Sequence, residues 1–163
     1  TVNIVRRPEQ IELVTKLGGD VAVVEHENVA EEIRKSLGKS TVKLAVDAVA
    51  GASTNRLAEC LQDGGSIINY GMLSMSPCQL DSNHAIFRGI SLQGFWLSKV
   101  LNKISAAERH EQISTLVGLL EQGLLHGAVD SLFAIDAITE AIRRAENEGR
   151  NGKVIVVPQS SSS

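Results

Sequence analysis

Short, almost continuously apolar segments alternate along this chain with amphipathic stretches of about ten residues. The apolar segments at 42–49 and 66–70 show little of the polar alternation that a half-exposed strand would have. Such strands are typical of sheets that are buried on both faces, because helices cover a parallel sheet from each side. The sequence therefore predicts an α/β fold, a Rossmann-like doubly wound parallel sheet.

The predicted elements follow one another with little connecting sequence. Pro8 stands near the start of the first helix, and glycines mark the ends of several elements. The pair Gly64-Gly65 is expected to end the third helix, which Ser53 or Thr54 could cap. We expect strands at 2–6, 21–24, 42–49, 66–70, 90–96, 129–134 and 153–157, and helices at 8–17, 28–37, from about 53, 106–122 and 138–148.

The phosphate-binding loop of a doubly wound domain has no counterpart here, because no Gly-x-Gly-x-x-Gly motif follows a predicted strand. In the strand order 3-2-1-4-5-6, that loop follows the first, central strand. The segment 2–6 has the features of the second strand, so we expect the first β-α unit upstream of Thr1. The sheet would then have two unpaired backbone edges. Each buried backbone group left without a hydrogen-bond partner would cost about 1–3 kcal/mol of stability. We expect the chain alone to be inactive.

Composition excludes several kinds of function. A net charge of −3 gives no electrostatic case for binding nucleic acid or an anionic membrane, and no apolar run approaches the ~20 residues of a spanning helix. Cys60 and Cys78 lack Cys-x-x-Cys spacing, and the four histidines form no metal-binding pair. We therefore predict no metal site, and cysteines that act as small apolar residues in a reducing compartment.

Arg6 and Arg7 come where the predicted second strand ends. In doubly wound domains an acidic residue at this place binds the ribose 2′-hydroxyl of NAD, and a basic one suits the 2′-phosphate of NADP. Guanidinium groups bind phosphate oxygens in a two-pronged geometry. The dipeptide is equally compatible with two solvated arginines.

Two further segments end strands at the edge where the cofactor crevice would lie. Tyr70-Gly71 follows the strand 66–70, although such a pair is more often simply a turn. Phe95 and Trp96 are adjacent in a chain with 3% aromatic residues. As a bare pattern they favour core packing, with one side chain facing the crevice or a partner.

Five segments together resemble a known family: V-N-I-V-R-R-P-E-Q, L-A-V-D-A-V-A-G, G-G-S-I-I-N-Y-G, I-F-R-G-I-S-L-Q-G-F-W-L-S-K and G-K-V-I-V. They are similar to the carboxyl-terminal part of medium-chain dehydrogenase/reductases. Within that family they most resemble the zinc-free 2-enoyl thioester reductases (trans-2-enoyl-CoA reductases) of mitochondria and bacteria, followed by quinone oxidoreductases. The similarity covers about residues 1–158.

The resemblance implies that the cofactor is NADPH and that the catalytic tyrosine lies upstream of Thr1, so no catalytic residue is expected in this chain. It also implies a homodimer formed through the strand Ile90–Trp96. The cofactor contacts that the resemblance implies are Arg6, Arg7, Tyr70, Gly71, Met72, Leu73, Phe95, Trp96, Leu97 and Lys153.

Three functions follow as expectations. The first is an NADPH-dependent reductase of the C=C bond of an enoyl-CoA or enoyl-ACP; the second is an NADPH quinone or carbonyl oxidoreductase; the third is a non-catalytic nucleotide-binding or dimerisation module. The expected compartment is the cytoplasm, or the mitochondrial matrix in a eukaryote. We expect residues 1–127 to form the incomplete NADP-binding domain, 128–158 to belong to the substrate domain, and 159–163 to be a disordered tail.

Overall fold

The computed structural model describes residues 1–147, 149–150 and 152–158. The tail expected at 159–163 lies outside the described residues. Packing divides the chain into two compact units, residues 1–100 and the residues from 101 onward. The domain boundary expected near residue 127 separates cofactor binding from substrate binding, which is a functional division, and it stays a prediction.

Fourteen regular helices and strands are described, together with a 3₁₀ turn at Ile135–Ala137. Their positions agree with the predicted order, and two short helices were not expected from the sequence. The strands are β1 Val2–Val5, β2 Val21–Val24, β3 Val42–Asp47, β4 Leu61–Asn69, β5 Ser91–Gly94, β6 Val129–Ala134 and β7 Lys153–Val157, and the helices are α1 Glu9–Lys16, α2 Val29–Leu37, α3 Ala52–Cys60, α4 Ser82–Phe87, α5 Leu97–Leu101, α6 Ala106–Glu121 and α7 Ile138–Glu146.

The first unit contains two parallel sheets instead of one. Within the described residues β1 pairs only with β2, while β3, β4 and β5 form a three-stranded sheet with β4 in the middle. Parallel strands alternating with helices confirm the predicted α/β fold. No hydrogen-bonded ladder joins β1 to β3, which is the interruption expected where the central strand of a doubly wound sheet would lie.

Two apolar clusters hold these sheets. Val29 and Ile33 are fully buried in α2 and pack with Val23 of β2, because their four-residue spacing places them on one helix face. Cys60, at the end of α3, also packs against this cluster. The second cluster centres on Ile67 of β4 and lies under α3.

Gly64 and Gly65 do not end the third helix, so that prediction was wrong. α3 ends at Cys60, and β4 begins at Leu61 and continues through both glycines. The pairing of β3 with β4 shifts register in this stretch, and Gly64 has a φ of 74°. The glycines therefore accommodate an irregular strand start, where a residue with a Cβ would be strained.

The second unit contains α6 and a β6–α7–β7 arrangement in which the two strands pair in parallel. Ser105 and Glu108 form a capping box at the start of α6, each side chain bonding the other residue's backbone. Arg144 of α7 donates to both carboxylate oxygens of Asp130, at 2.7 and 2.5 Å, and joins the helix to β6. Among the described helices, none has the length and apolar character to cross a membrane.

Candidate functional site

A cleft of about 900 Å³ separates the two sheets of the first unit. All of β1 and all of β3 line it. Leu44 and Val46 of β3 are 57% and 61% exposed, although both are apolar. The cleft thus has two parts: a long slot between two unpaired strand edges, and a mouth at the carboxyl ends of the strands, where doubly wound domains bind ligands.

Arg6 lies at this mouth, directly after β1. The backbone N–H groups of Arg6 and Arg7 both donate to the side-chain oxygen of Gln10, each at 3.1 Å, which fixes the turn from β1 into α1. Both arginine side chains are exposed. Arg6 lines the cleft, whereas Arg7 is not among the lining residues. The structure therefore separates two residues that the sequence could not distinguish.

Glu25 follows β2 and lies beside the end of β1, since its backbone N–H donates to the carbonyl of Val5 at 2.8 Å. Its carboxylate accepts hydrogen bonds from the Ser53 hydroxyl and from Arg56 Nη2, the latter at 2.5 Å. Partial burial acts to raise the pKa of Glu25. The hydrogen bonds from Ser53 and Arg56, with the charges of Arg56 and Arg6, outweigh it and hold the pKa below its usual range. Glu25 is therefore ionised at neutral pH.

Asp47 organises the loop that follows β3. One carboxylate oxygen accepts from the backbone N–H of Val49 at 2.8 Å and of Ala50 at 3.0 Å, and the other accepts from the hydroxyl of the fully buried Thr54 at 2.7 Å. Burial acts to raise the pKa of Asp47, but these hydrogen bonds hold it below its usual range. They also hold Ala50 in a left-handed conformation with a φ of 64°.

The Tyr70 loop packs directly on the Asp47 loop. Tyr70 donates its backbone N–H to the carbonyl of Asp47 at 2.9 Å, and Leu73 donates to that of Ala48 at 3.1 Å. A Cβ on Gly71 would lie 2.7 Å from the Ala48 carbonyl oxygen. This contact between loops requires glycine whether or not a ligand approaches it. The side chains of Tyr70, Met72 and Leu73 are exposed, and Tyr70 also lines the cleft.

Phe95 and Trp96 follow β5 at the same edge, because β5 pairs with β4 and Phe95 donates its backbone N–H to the Asn69 carbonyl at 2.8 Å. Both side chains are exposed, Trp96 at 70%. The bare-pattern expectation that these aromatics pack in the core was wrong. Leu97 begins α5 and is also exposed.

Lys153 begins β7 in the second unit, where its backbone N–H donates to the Ala128 carbonyl at 2.8 Å. Its contact with a cofactor stays a prediction. The remaining predicted residues all follow β1, β4 or β5 in the first unit.

Three site residues were missed from the sequence: Glu25, Asp47 and Arg56. Asp47 had a usable signal, because an aspartate at the end of an apolar strand and four residues before a glycine is typical of a loop-organising carboxylate. Glu25 and Arg56 are 31 positions apart. Their pairing depends on how the two sheets lie side by side, which no local pattern indicates.

The strand arrangement and the polar groups at its carboxyl edge define a Rossmann-like domain of the nucleotide-binding class. The sequence profile of the zinc-binding dehydrogenase family matches residues 1–121. The chain belongs to that family.

Curated relatives agree with the resemblance seen in the sequence. The mitochondrial enoyl-[acyl-carrier-protein] reductase of Caenorhabditis elegans is 35% identical over 128 residues, covering 76% of this chain and 36% of the relative. That of Dictyostelium discoideum is 25% identical over 161 residues, covering 96% of this chain and 46% of the relative. The chain thus spans less than half the length of these relatives.

Solved structures share the fold at low identity. An NADPH:quinone reductase from Bacillus thuringiensis has a TM-score of 0.81 at 20% identity, with 94% of this chain and 47% of that chain covered. The mitochondrial 2-enoyl thioester reductase Etr1p/Etr2p heterodimer from Candida tropicalis has a TM-score of 0.80 at 19% identity, covering 96% and 46%. A complex of Etr1p with NADP and crotonyl-CoA has a TM-score of 0.73 at 20% identity, covering 89% and 44%.

Zinc-binding members of this family hold the metal with clustered side-chain ligands. Within the described ranges, no three His, Cys, Asp or Glu side chains come together as a ligand group. Burial raises the pKa of the Cys60 thiol to about 11, with a smaller contribution from Glu59, which disfavours the thiolate that binds zinc. The described residues do not fit zinc.

Proposed function

We propose that this chain is the NADPH-binding part of an NADPH-dependent reductase of 2-enoyl thioesters. The observation that carries the proposal is the position of Arg6 at the mouth of the cleft, directly after β1 and in reach of the carboxyl edge that Tyr70 also lines. A guanidinium at this place suits the 2′-phosphate that distinguishes NADPH from NADH. The curated relatives named above support the choice of reaction.

The residues of this chain have binding roles in the proposal. Arg6 and Arg7 provide positive charge for the 2′-phosphate. Tyr70 to Leu73 and Phe95 to Leu97 form the two exposed segments beside the crevice, and Lys153 is a further proposed contact. NADPH when bound supplies a hydride. No residue of this chain is assigned a catalytic role.

The cofactor preference tests these roles. Arg6 and Arg7 are changed together to Ala in the intact reductase of which this chain is proposed to be a part. This change should weaken NADPH binding about tenfold or more and NADH binding by less than about twofold. Because Arg6 alone lines the cleft, Arg6→Ala should account for most of the loss and Arg7→Ala serves as the matched control. Equal losses for the two nucleotides would show that the arginines do not recognise the 2′-phosphate, and no loss for either would show that they are solvated bystanders.

A second candidate reaction is the reduction of a quinone or another carbonyl substrate. The observation in its favour is the fold similarity to an NADPH:quinone reductase. The two reactions are distinguished by the rate at which the intact reductase oxidises NADPH, followed by its absorbance, with crotonyl-CoA or with a quinone as substrate. We expect the two rates to differ by about tenfold or more. Preferential turnover of crotonyl-CoA supports the enoyl reductase.

A third candidate, of another class, is a nucleotide-binding or dimerisation module without catalysis. The unpaired edges of β1 and β3 favour it for the chain alone. We expect NADPH to bind this chain weakly or not at all, because no Gly-rich pyrophosphate loop is described. An affinity within about tenfold of that of its intact relatives would contradict this expectation.

The proposed assembly is a homodimer through β5. Among the strands that the structure describes, β5 pairs only with β4 and leaves its other edge open, and all four of its residues are exposed. Changing Leu92 to Pro would remove a backbone donor from the strand. It should shift the species observed in sedimentation from dimer to monomer, whereas Leu92→Val should not. The proposed compartment is the cytoplasm, or the mitochondrial matrix in a eukaryote, as the names of the relatives suggest.

A further inference from the structure

Glu25 and Arg6 are neighbours at the carboxyl edge of the β1–β2 sheet. The strands pair in parallel with Val5 opposite Val24. Arg6 and Glu25, which follow these two residues, therefore lie side by side. Both residues line the mouth of the cleft. An arginine and an ionised carboxylate on neighbouring strands can form a strong, charge-assisted hydrogen bond.

The structure shows a different pairing. Glu25 accepts hydrogen bonds from Ser53 and Arg56 of α3, and the side chains of Glu25 and Arg56 are each only 25% exposed. Arg56 Nη2 also lies 3.2 Å from the Ser53 hydroxyl oxygen. Across the described part of the chain, Arg6 forms no ion pair. Arg56 therefore competes with Arg6 for the same carboxylate, and it is the partner observed.

We propose that Arg56 and Ser53 keep the Glu25 carboxylate away from Arg6, and so leave the Arg6 guanidinium available for the 2′-phosphate of NADPH. This inference rests on the proposed cofactor and adds the residues that set its selection. Arg56 and Ser53 are positioning residues, and Glu25 is the group they control. A released Glu25 would pair with Arg6, repel a phosphate dianion and accept a hydrogen bond from the ribose hydroxyl of NADH.

The test compares adenosine 2′-phosphate (2′-AMP) with adenosine 5′-phosphate (5′-AMP), which differ only in the phosphate position. Binding of each nucleotide to the intact reductase is measured by calorimetric or NMR titration. Arg56→Met should weaken 2′-AMP binding roughly five- to tenfold and change 5′-AMP binding by less than about twofold. The double variant Glu25→Gln with Arg56→Met should restore 2′-AMP binding to within about twofold of the original, because the carboxylate to be controlled is gone.

Two further variants separate charge and folding from the proposed pairing. Lys35→Met removes the same charge from an exposed ion pair with Glu31 on α2 and should leave both affinities unchanged. Glu25→Gln alone leaves Arg56 in place, so its result does not depend on whether an Arg56 variant folds. It should bind 2′-AMP at least as tightly as the original protein. Weaker binding of 2′-AMP by Glu25→Gln, or failure of the double variant to recover, would overturn the inference.

The outcomes also separate this inference from the proposed function. A preference for 2′-AMP in the original protein that Arg56→Met leaves intact overturns the role of Arg56 alone. Equal binding of 2′-AMP and 5′-AMP by the original protein overturns both the NADPH preference and the inference built on it.

Discussion

β3 and β4 are adjacent parallel strands whose apolar side chains have different surroundings. β4 pairs on both edges, and its Ile67 is completely buried under α3. In the described part of the chain β3 pairs on one edge, with β4, and its Leu44 and Val46 are more than half exposed beside the cleft. Ile67 lies opposite Ala45 on the face of the sheet that α3 covers, whereas Leu44 and Val46 point to the other face. The cover over each face therefore decides which apolar side chains become core.

Truncating each strand should give the largest contrast. Ile67→Ala removes buried volume from the cluster with Ala58, Leu61 and Ile90, and should lower the free energy of unfolding by roughly 2–5 kcal/mol. Leu44→Ala is the control on β3 and should cost less than about 1 kcal/mol. Urea unfolding followed by circular dichroism measures both. Similar losses would show that the cleft side of β3 is as well packed as β4.

The loop after β3 should be the next most sensitive place. Asp47→Ala leaves two backbone N–H groups and the Thr54 hydroxyl without their acceptor, which should cost about 1–3 kcal/mol. Asp47→Asn keeps one oxygen acceptor and should cost less. If Asp47→Ala were neutral in urea unfolding, the carboxylate would not organise this loop.

The same carboxylate predicts a pH dependence. Its pKa is lower in the folded chain than the ordinary value of 3.8, so its stabilising contribution is complete above that value. The contribution is lost as the pH falls through the lower, folded value. Urea midpoints measured from about pH 7 to about pH 3 should fall more steeply for the original protein than for Asp47→Asn. Parallel curves would contradict this expectation.

Relief of backbone strain should give a smaller effect of the opposite sign. Ala50 has a φ of 64°, which costs an alanine roughly 1–2 kcal/mol and a glycine little. The greater freedom of glycine in the unfolded chain offsets part of this gain. Ala50→Gly should therefore raise the free energy of unfolding by up to about 1 kcal/mol. Ala52→Gly, in the first turn of α3, is the control and should be neutral or slightly destabilising.

The smallest effect is expected on the exposed face of β3. Val46→Thr keeps the branched shape and places a hydroxyl at a position that is 61% exposed, so the change should stay within about 0.5 kcal/mol. A decrease of more than about 1 kcal/mol in the free energy of unfolding of the intact reductase would show that another segment covers Val46. That outcome would remove the contrast between the two strands.

Most of the fold could be predicted from local sequence signals. β7 and β6 match their predicted ranges, and α6 differs by one residue at its end, because apolar periodicity and a capping box are encoded within a few neighbouring residues. The start of β4 was misjudged, since a glycine pair signals a break equally well before or within an irregular strand. The short helices α4 and α5 have too few residues to show a period.

The candidate site divides in the same way. Arg6, Tyr70 and Trp96 could be selected from the sequence because strand ends are recognisable, and parallel strands place their ends at one edge. Whether a given side chain lines the cleft, is buried or is paired depends on residues from other elements. For this reason the sequence could not separate Arg6 from Arg7, and the bare pattern of Phe95 and Trp96 favoured core packing although both side chains are exposed.

The sequence by itself determined the order of strands and helices, the parallel α/β class and the absence of a Gly-rich phosphate loop, because each depends on residues a few positions apart. Only the tertiary structure decided that β1 and β3 face each other across a cleft, that Asp47 supports two loops, and that Arg56 pairs with Glu25. Those features require elements that are far apart in the sequence to meet, and their energy comes from pairing and burial that no single segment possesses.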